Sequence, residues 1–171
     1  HIDRVHTTTL LLLREERTVG IVTRLAELVA LLHDVADHKY DRDGKLRQQL
    51  LERYGQDMLD MIDAIAFSRQ VQQPPEQDLR EFSHLQQQVI RIVRDADRLD
   101  AIGWEGLQRC RDYTLELHPD YTAEQVEAHV RQHVHDKLGR LYPEHFIATR
   151  AGRALAQPLH EEMLKSLRVT E

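Results

Sequence analysis

No stretch of this chain alternates apolar and polar residues with period two over the length of a strand. Apolar residues recur at three- and four-residue spacing, the period of a helix with one buried face. Breakers are few, with seven Gly and five Pro in 171 residues. Aromatics make up only 5%, which argues against a β-sandwich and against a base-stacking platform. The expected fold class is all-α, a compact single-domain helical bundle over residues 1–171. A chain of this length buries a core without disulfide or metal staples.

Helices are expected from Ile2 to about Glu16 and from Thr23 to about Ala36, the latter with Thr23 as N-cap. Further ones are expected over Lys45–Tyr54, Asp57–Phe67 and Leu85–Ile102. Two more follow, Ala123–Leu138 behind Thr122 as N-cap, and Phe146–Leu167 interrupted near Pro158. Asp37–Gly44 and Gln70–Ser83 read as loops, and Gly103 and Gly106 as the brackets of a short connection.

A single cysteine, Cys110, excludes an internal disulfide framework and a cysteine zinc site. The net charge of −6 gives no bulk attraction for a nucleic-acid polymer or an anionic membrane. The longest purely apolar runs are four residues, as in Leu10–Leu13, too short to span a bilayer. No secretory pattern opens the chain, so a cytoplasmic location is expected. Position 1 is His and not Met, so residues upstream of it are expected to belong to the protein. With eleven histidines and one cysteine, any bound metal must be held by His and carboxylates.

Two helices carry acids where an apolar face is expected. Thr23–Ala36 is apolar nearly all round, which marks a central helix, and it ends in His33-Asp34. A carboxylate beside an imidazole in such a place is costly unless a divalent cation or an arginine neutralises it. In Leu85–Ile102, Asp97 and Asp100 fall within the apolar arc of Val89, Ile90, Val93 and Ala96. Asp95 falls opposite, on the side of Arg91, Arg94 and Arg98, which are expected to face outward. The bland alternative is a structural His–Asp pair at one helix end and an Asp97 paired with a core arginine.

Three motifs resemble the HD-domain metal-dependent phosphohydrolases, a superfamily with an H…HD…D ligand set. They are His1-Ile2-Asp3-Arg4-Val5, Ala30 to Tyr40 around His33-Asp34, and Asp95-Ala96-Asp97-Arg98-Leu99-Asp100-Ala101-Ile102-Gly103. Ala64-Ile65-Ala66-Phe67-Ser68 is similar to a stretch of the small stand-alone subgroup, which acts on nucleotides or related phosphates. The resemblance runs over residues 1–106 and more weakly through the C-terminal helices, residues 123–169. It implies a metal site of His1, His33, Asp34 and Asp97, with His6 as a rival to His1 that lacks the same context. The implied cofactor is a divalent ion, Mn²⁺ or Mg²⁺ ahead of Fe²⁺ or Zn²⁺. Asp37 is the implied residue for orienting or deprotonating the attacking water. Lys39, Arg4 and Arg98 are candidates for phosphate contacts. The implied activity is hydrolysis of a small phosphorylated substrate, foremost a nucleotide. Alternatives are a guanosine-polyphosphate hydrolase, a two-iron oxygenase with His38 as the spare ligand, and a non-catalytic regulatory or protein-binding module. A homodimer is left open.

Other features carry less. His129 and His133 stand at i, i+4 without the acid of a zinc-protease motif, and with His135 read as a solvated face. Asp41-Arg42-Asp43-Gly44 lacks the remaining ligands of a calcium loop. Cys110 reads as a small buried residue and Trp104 as packing.

Overall fold

The computed structural model of the chain describes residues 1–37, 41–72 and 77–168. Among these residues every regular element is helical: α1 (Ile2–Glu15), α2 (Ile21–Leu32), α3 (Lys45–Tyr54), α4 (Gln56–Ile65), α5 (Phe67–Gln72), α6 (His84–Ala101), α7 (Gly103–Leu117), α8 (Ala123–Asp136), a single 3₁₀ turn (Leu138–Arg140) and α9 (Arg150–Arg168). The fold class is all-α. None of these helices is long and apolar enough to cross a membrane.

The chain divides into two compact units, His1–Ala96 and Asp97–Glu171. In the first, α1 packs on α2, α2 on α4, and α3 on α4. The core of this unit includes Val5, Leu12, Ala26, Val29, Ala30, Ile62, Val89 and Ile90. The join between α3 and α4 is one residue, Gly55, with φ 82, a left-handed backbone that glycine adopts without a Cβ clash. Arg47 on α3 then reaches Asp63 on α4 with two hydrogen bonds, 2.8 and 2.5 Å. Asp41 is buried and accepts the backbone N–H groups of Leu46, 3.0 Å, and Arg47, 2.8 Å. Its carboxylate thus serves donors that the first turn of α3 leaves unbonded.

In the second unit α7 packs on α8 and α9. The Thr122 hydroxyl accepts from Gln125 N–H, and the Gln125 side-chain oxygen accepts from Thr122 N–H, 2.8 Å, a complete capping box. Thr122→Ala is expected to cost about 1 kcal/mol, read from the urea midpoint at unchanged slope. Pro158 lies inside α9, which continues across it to Arg168. The expected interruption is absent.

Four other expectations change. First, α2 begins two residues early, after Gly20, and Thr23 lies inside it with its hydroxyl donating to Thr18 O, 3.1 Å. It ends at Leu32, with His33 as its C-cap, so residues 33–36 form turns. Second, α2 is not central: only Ala26, Val29 and Ala30 are buried, and Ile21 and Leu31 are exposed. Third, α6 is covered on nearly every side in its C-terminal half, where Asp95 is 0%, Arg94 2% and Arg98 2% exposed, while Arg91 is exposed as expected. These charged residues do not face outward as the helical wheel suggests. Fourth, Gly103 and Gly106 belong to α7, with no separate connection between them. Trp104 is 47% exposed and does not pack inward; the Arg111 guanidinium lies 5.6 Å from its ring centroid.

Burial pushes the His160 imidazole below its ordinary range. The unfolded chain therefore takes up a proton first as the pH falls below about 6.5, and stability drops from there down to the folded-state value. His160→Phe is expected to flatten this acid loss in thermal melts between pH 7 and 5. Equal slopes in both proteins would contradict it.

Candidate functional site

The three helices that carry the site reach it by different means. His1 is the N-cap residue of α1, with its side chain on the exposed side of the unit. His33 is the C-cap of α2, buried, and its Nδ1–H donates to Ala30 O across 2.7 Å. With Nδ1 engaged there, Nε2 is the ring atom the neutral imidazole presents toward His1. The division between the two units falls inside α6, and Asp97 is the residue of that continuous helix after Ala96.

One ligand atom from each of His1, His33 and Asp97 lies within 4.8 Å of the others, the one such cluster among the described residues. The two Nε2 atoms are 3.2 Å apart. Asp34 sits beside both rings, its carboxylate 3.5 Å from His1 Nε2 and 3.7 Å from His33 Nε2, but it is not one of the three mutually close ligands. Two imidazole nitrogens, one pinned by a backbone carbonyl, and a carboxylate are a donor set that suits a divalent transition metal.

The remaining candidates are placed as follows. Asp37 is half-buried one turn beyond, its N–H bonded to Asp34 O, 3.1 Å. Lys39 and His38 lie outside the described residues. Arg4 is exposed on α1. Arg98 is buried beside the Asp97 carboxylate, 3.9 Å away, so it braces an acid more readily than it meets a solvent-borne phosphate. Asp100 is also largely covered, and Arg109 bonds both its carbonyl and its carboxylate.

Neither a protein-family model nor a curated protein sequence matches the chain. Solved structures do. YpgQ of Bacillus subtilis is 27% identical, with all of this chain aligned to 86% of that one at a TM-score of 0.68. YpgQ in complex with ADP aligns over all of this chain and 83% of that one, at 27% identity and a TM-score of 0.66. An HD-superfamily hydrolase from Bacillus thuringiensis is 23% identical over 99% of this chain and 82% of its own, at a TM-score of 0.60. The chain has the fold of the small stand-alone HD-domain proteins. The residues whose motifs resemble an H…HD…D set are His1, His33-Asp34 and Asp97.

Sequence reasoning missed Arg94. It is buried, donates from Nε to Ala64 O at 2.7 Å, and holds the Asp78 carboxylate with two bonds, 2.6 and 3.1 Å. An arginine sixteen residues from its partner leaves no local signal. Only its position one turn before Asp97 hinted at it.

Among the described residues the histidines of α8 belong to no ligand cluster. His129 is exposed, with its ring 5.9 Å from that of His118, and His118 stacks on Tyr121 at 4.4 Å. Burial pushes the Cys110 thiol up, away from the reactive thiolate.

Proposed function

We propose that the chain is a metal-dependent phosphohydrolase that cleaves a small phosphate ester or anhydride, foremost a nucleotide. The observation that carries this is the convergence of His1, His33 and Asp97 ligand atoms within 4.8 Å of one another. Two imidazoles and a carboxylate brought so close, with His33 oriented by Ala30 O, are costly to hold together without a cation.

His1, His33 and Asp97 would hold the ion, with Asp34 the fourth ligand, and Mn²⁺ or Mg²⁺ the first candidates. When bound, the ion lowers the pKa of a coordinated water and stabilises charge on a phosphoryl oxygen. The residues supply the rest. The Ala30 carbonyl keeps the His33 ring in the tautomer that presents Nε2. Asp37 orients the water and receives its proton as the new P–O bond forms and the bond to the leaving oxygen breaks. The same carboxyl then returns the proton to the leaving oxygen. Arg98, buried against Asp97, steadies that carboxylate. The ADP bound by YpgQ supports a nucleotide as the class to try first.

The test is a panel of nucleoside mono-, di- and triphosphates with Mn²⁺ or Mg²⁺, scored for phosphate and pyrophosphate release. Turnover of at least one class that stops on chelation is expected. No turnover of any member with either ion would overturn the reading. Asp37→Asn should lower kcat by about a hundredfold or more while leaving Mn²⁺ affinity within about twofold.

A further inference from the structure

We propose that Arg94 is a positioning residue for the metal helix. By bonding Ala64 O and the Asp78 carboxylate at once, it fixes the rotation of α6 and with it the place of Asp97. This rests on the metal reading above.

Three segments meet at this one guanidinium. Ala64 stands in the last turn of α4, where carbonyls lack donors from their own helix. Asp78 is the second residue of the turn of residues 77–82, closed by Arg80 N–H to Gln77 O at 3.3 Å and Phe82 N–H to Leu79 O at 3.1 Å. Leu79, the next residue, is buried with φ 63, a left-handed backbone that a branched side chain adopts only when its surroundings impose it. Gln87, on α6, adds a bond to Phe82 O at 2.9 Å. The turn is thus tied to α6 at two points, 87 and 94.

Asp97 follows Arg94 by three residues, so both lie near one face of α6, about one turn apart. A side-chain oxygen roughly 6 Å from the helix axis moves about 1 Å for a 10° rotation. Ligand placement tolerates only about 0.5 Å. The arginine fork suits this task because its donors are planar and fixed relative to one another. An ammonium at the same place has no such geometry.

The test separates positioning from stability. Arg94→Met with Asp78→Leu removes the buried pair together and leaves no orphaned charge, only the lost bond to Ala64 O, so thermal stability should fall by no more than several degrees and the variant should stay folded. Mn²⁺ affinity, measured by titration well below the melting temperature, is nevertheless expected to fall about tenfold. Arg94→Lys keeps the charge, loses the fork, and should show the same loss of affinity with an unchanged far-UV CD spectrum. Should the double variant not fold, Arg94→Lys decides. Wild-type Mn²⁺ affinity in the folded variants would overturn the positioning role alone. No saturable Mn²⁺ binding by the wild-type protein would overturn the metal reading and the positioning role together.

Discussion

Asp97→Ala is expected to lower metal-dependent phosphate release by about a thousandfold, an activation cost of about 4 kcal/mol. Asp97 supplies the one carboxylate among the three side chains whose ligand atoms converge. Its removal leaves two imidazoles and Asp34, which is not among the three mutually close ligands, a set with much less attraction for a dication. The fold should survive the change. Alanine is the best helix former, α6 continues past position 97, and the Asp97 side chain is itself partly exposed. A melting temperature within a few degrees of wild type, together with lost turnover, is the pattern to look for. Undiminished turnover would show that the three side chains meet by accident.

Gly106→Ala is expected to destabilise the protein by about 3 kcal/mol, lowering Tm by roughly 6–12 °C. A Cβ at position 106 would overlap Ala101 O and stand 2.5 Å from its carbonyl carbon. Both are backbone atoms at the end of α6, so no side-chain rotation relieves the overlap and α7 must move away. The bend that follows Asp97 and Asp100 therefore depends on a bare Cα. Differential scanning calorimetry checks this, and a Tm within 2 °C of wild type would contradict it. Gly139 meets a looser neighbour, Val134 O at 2.9 Å, and its alanine variant should cost less.

The helical class was legible in the apolar period, and the acids that interrupt that period drew attention to His33-Asp34 and Asp97. His33-Asp34 and Asp97 break patterns that otherwise run unbroken, and the structure brings His33 and Asp97 together with His1. Helix ends were less legible. Val35 and Ala36 continue the apolar pattern past Leu32 with no breaker, yet α2 stops there and the His33 ring bonds Ala30 O. Gly103 and Gly106 looked like punctuation, while Gly106 is a contact between two helices. Pro158 looked like a stop, but α9 runs through it.

The burial of Arg94, Asp95 and Arg98 was the hardest to foresee. A helical wheel assigns charged residues to water. What reverses that assignment is pairing at long range, as between Arg94 and Asp78 across sixteen residues. Periodicity holds no record of such a pair, because the partner lies on a different segment. Asp41 is similar: in a motif that hints at calcium, its carboxylate instead accepts two backbone N–H groups from the first turn of α3.

The most direct measurement of the central claim is a Mn²⁺ titration of the chelator-stripped full chain, followed by the loss of the free-ion EPR signal. One saturable site per chain is predicted, reduced at least about tenfold in affinity by His33→Ala and by Asp97→Ala separately. The absence of a saturable site, or a site that keeps its affinity in both variants, would contradict the account.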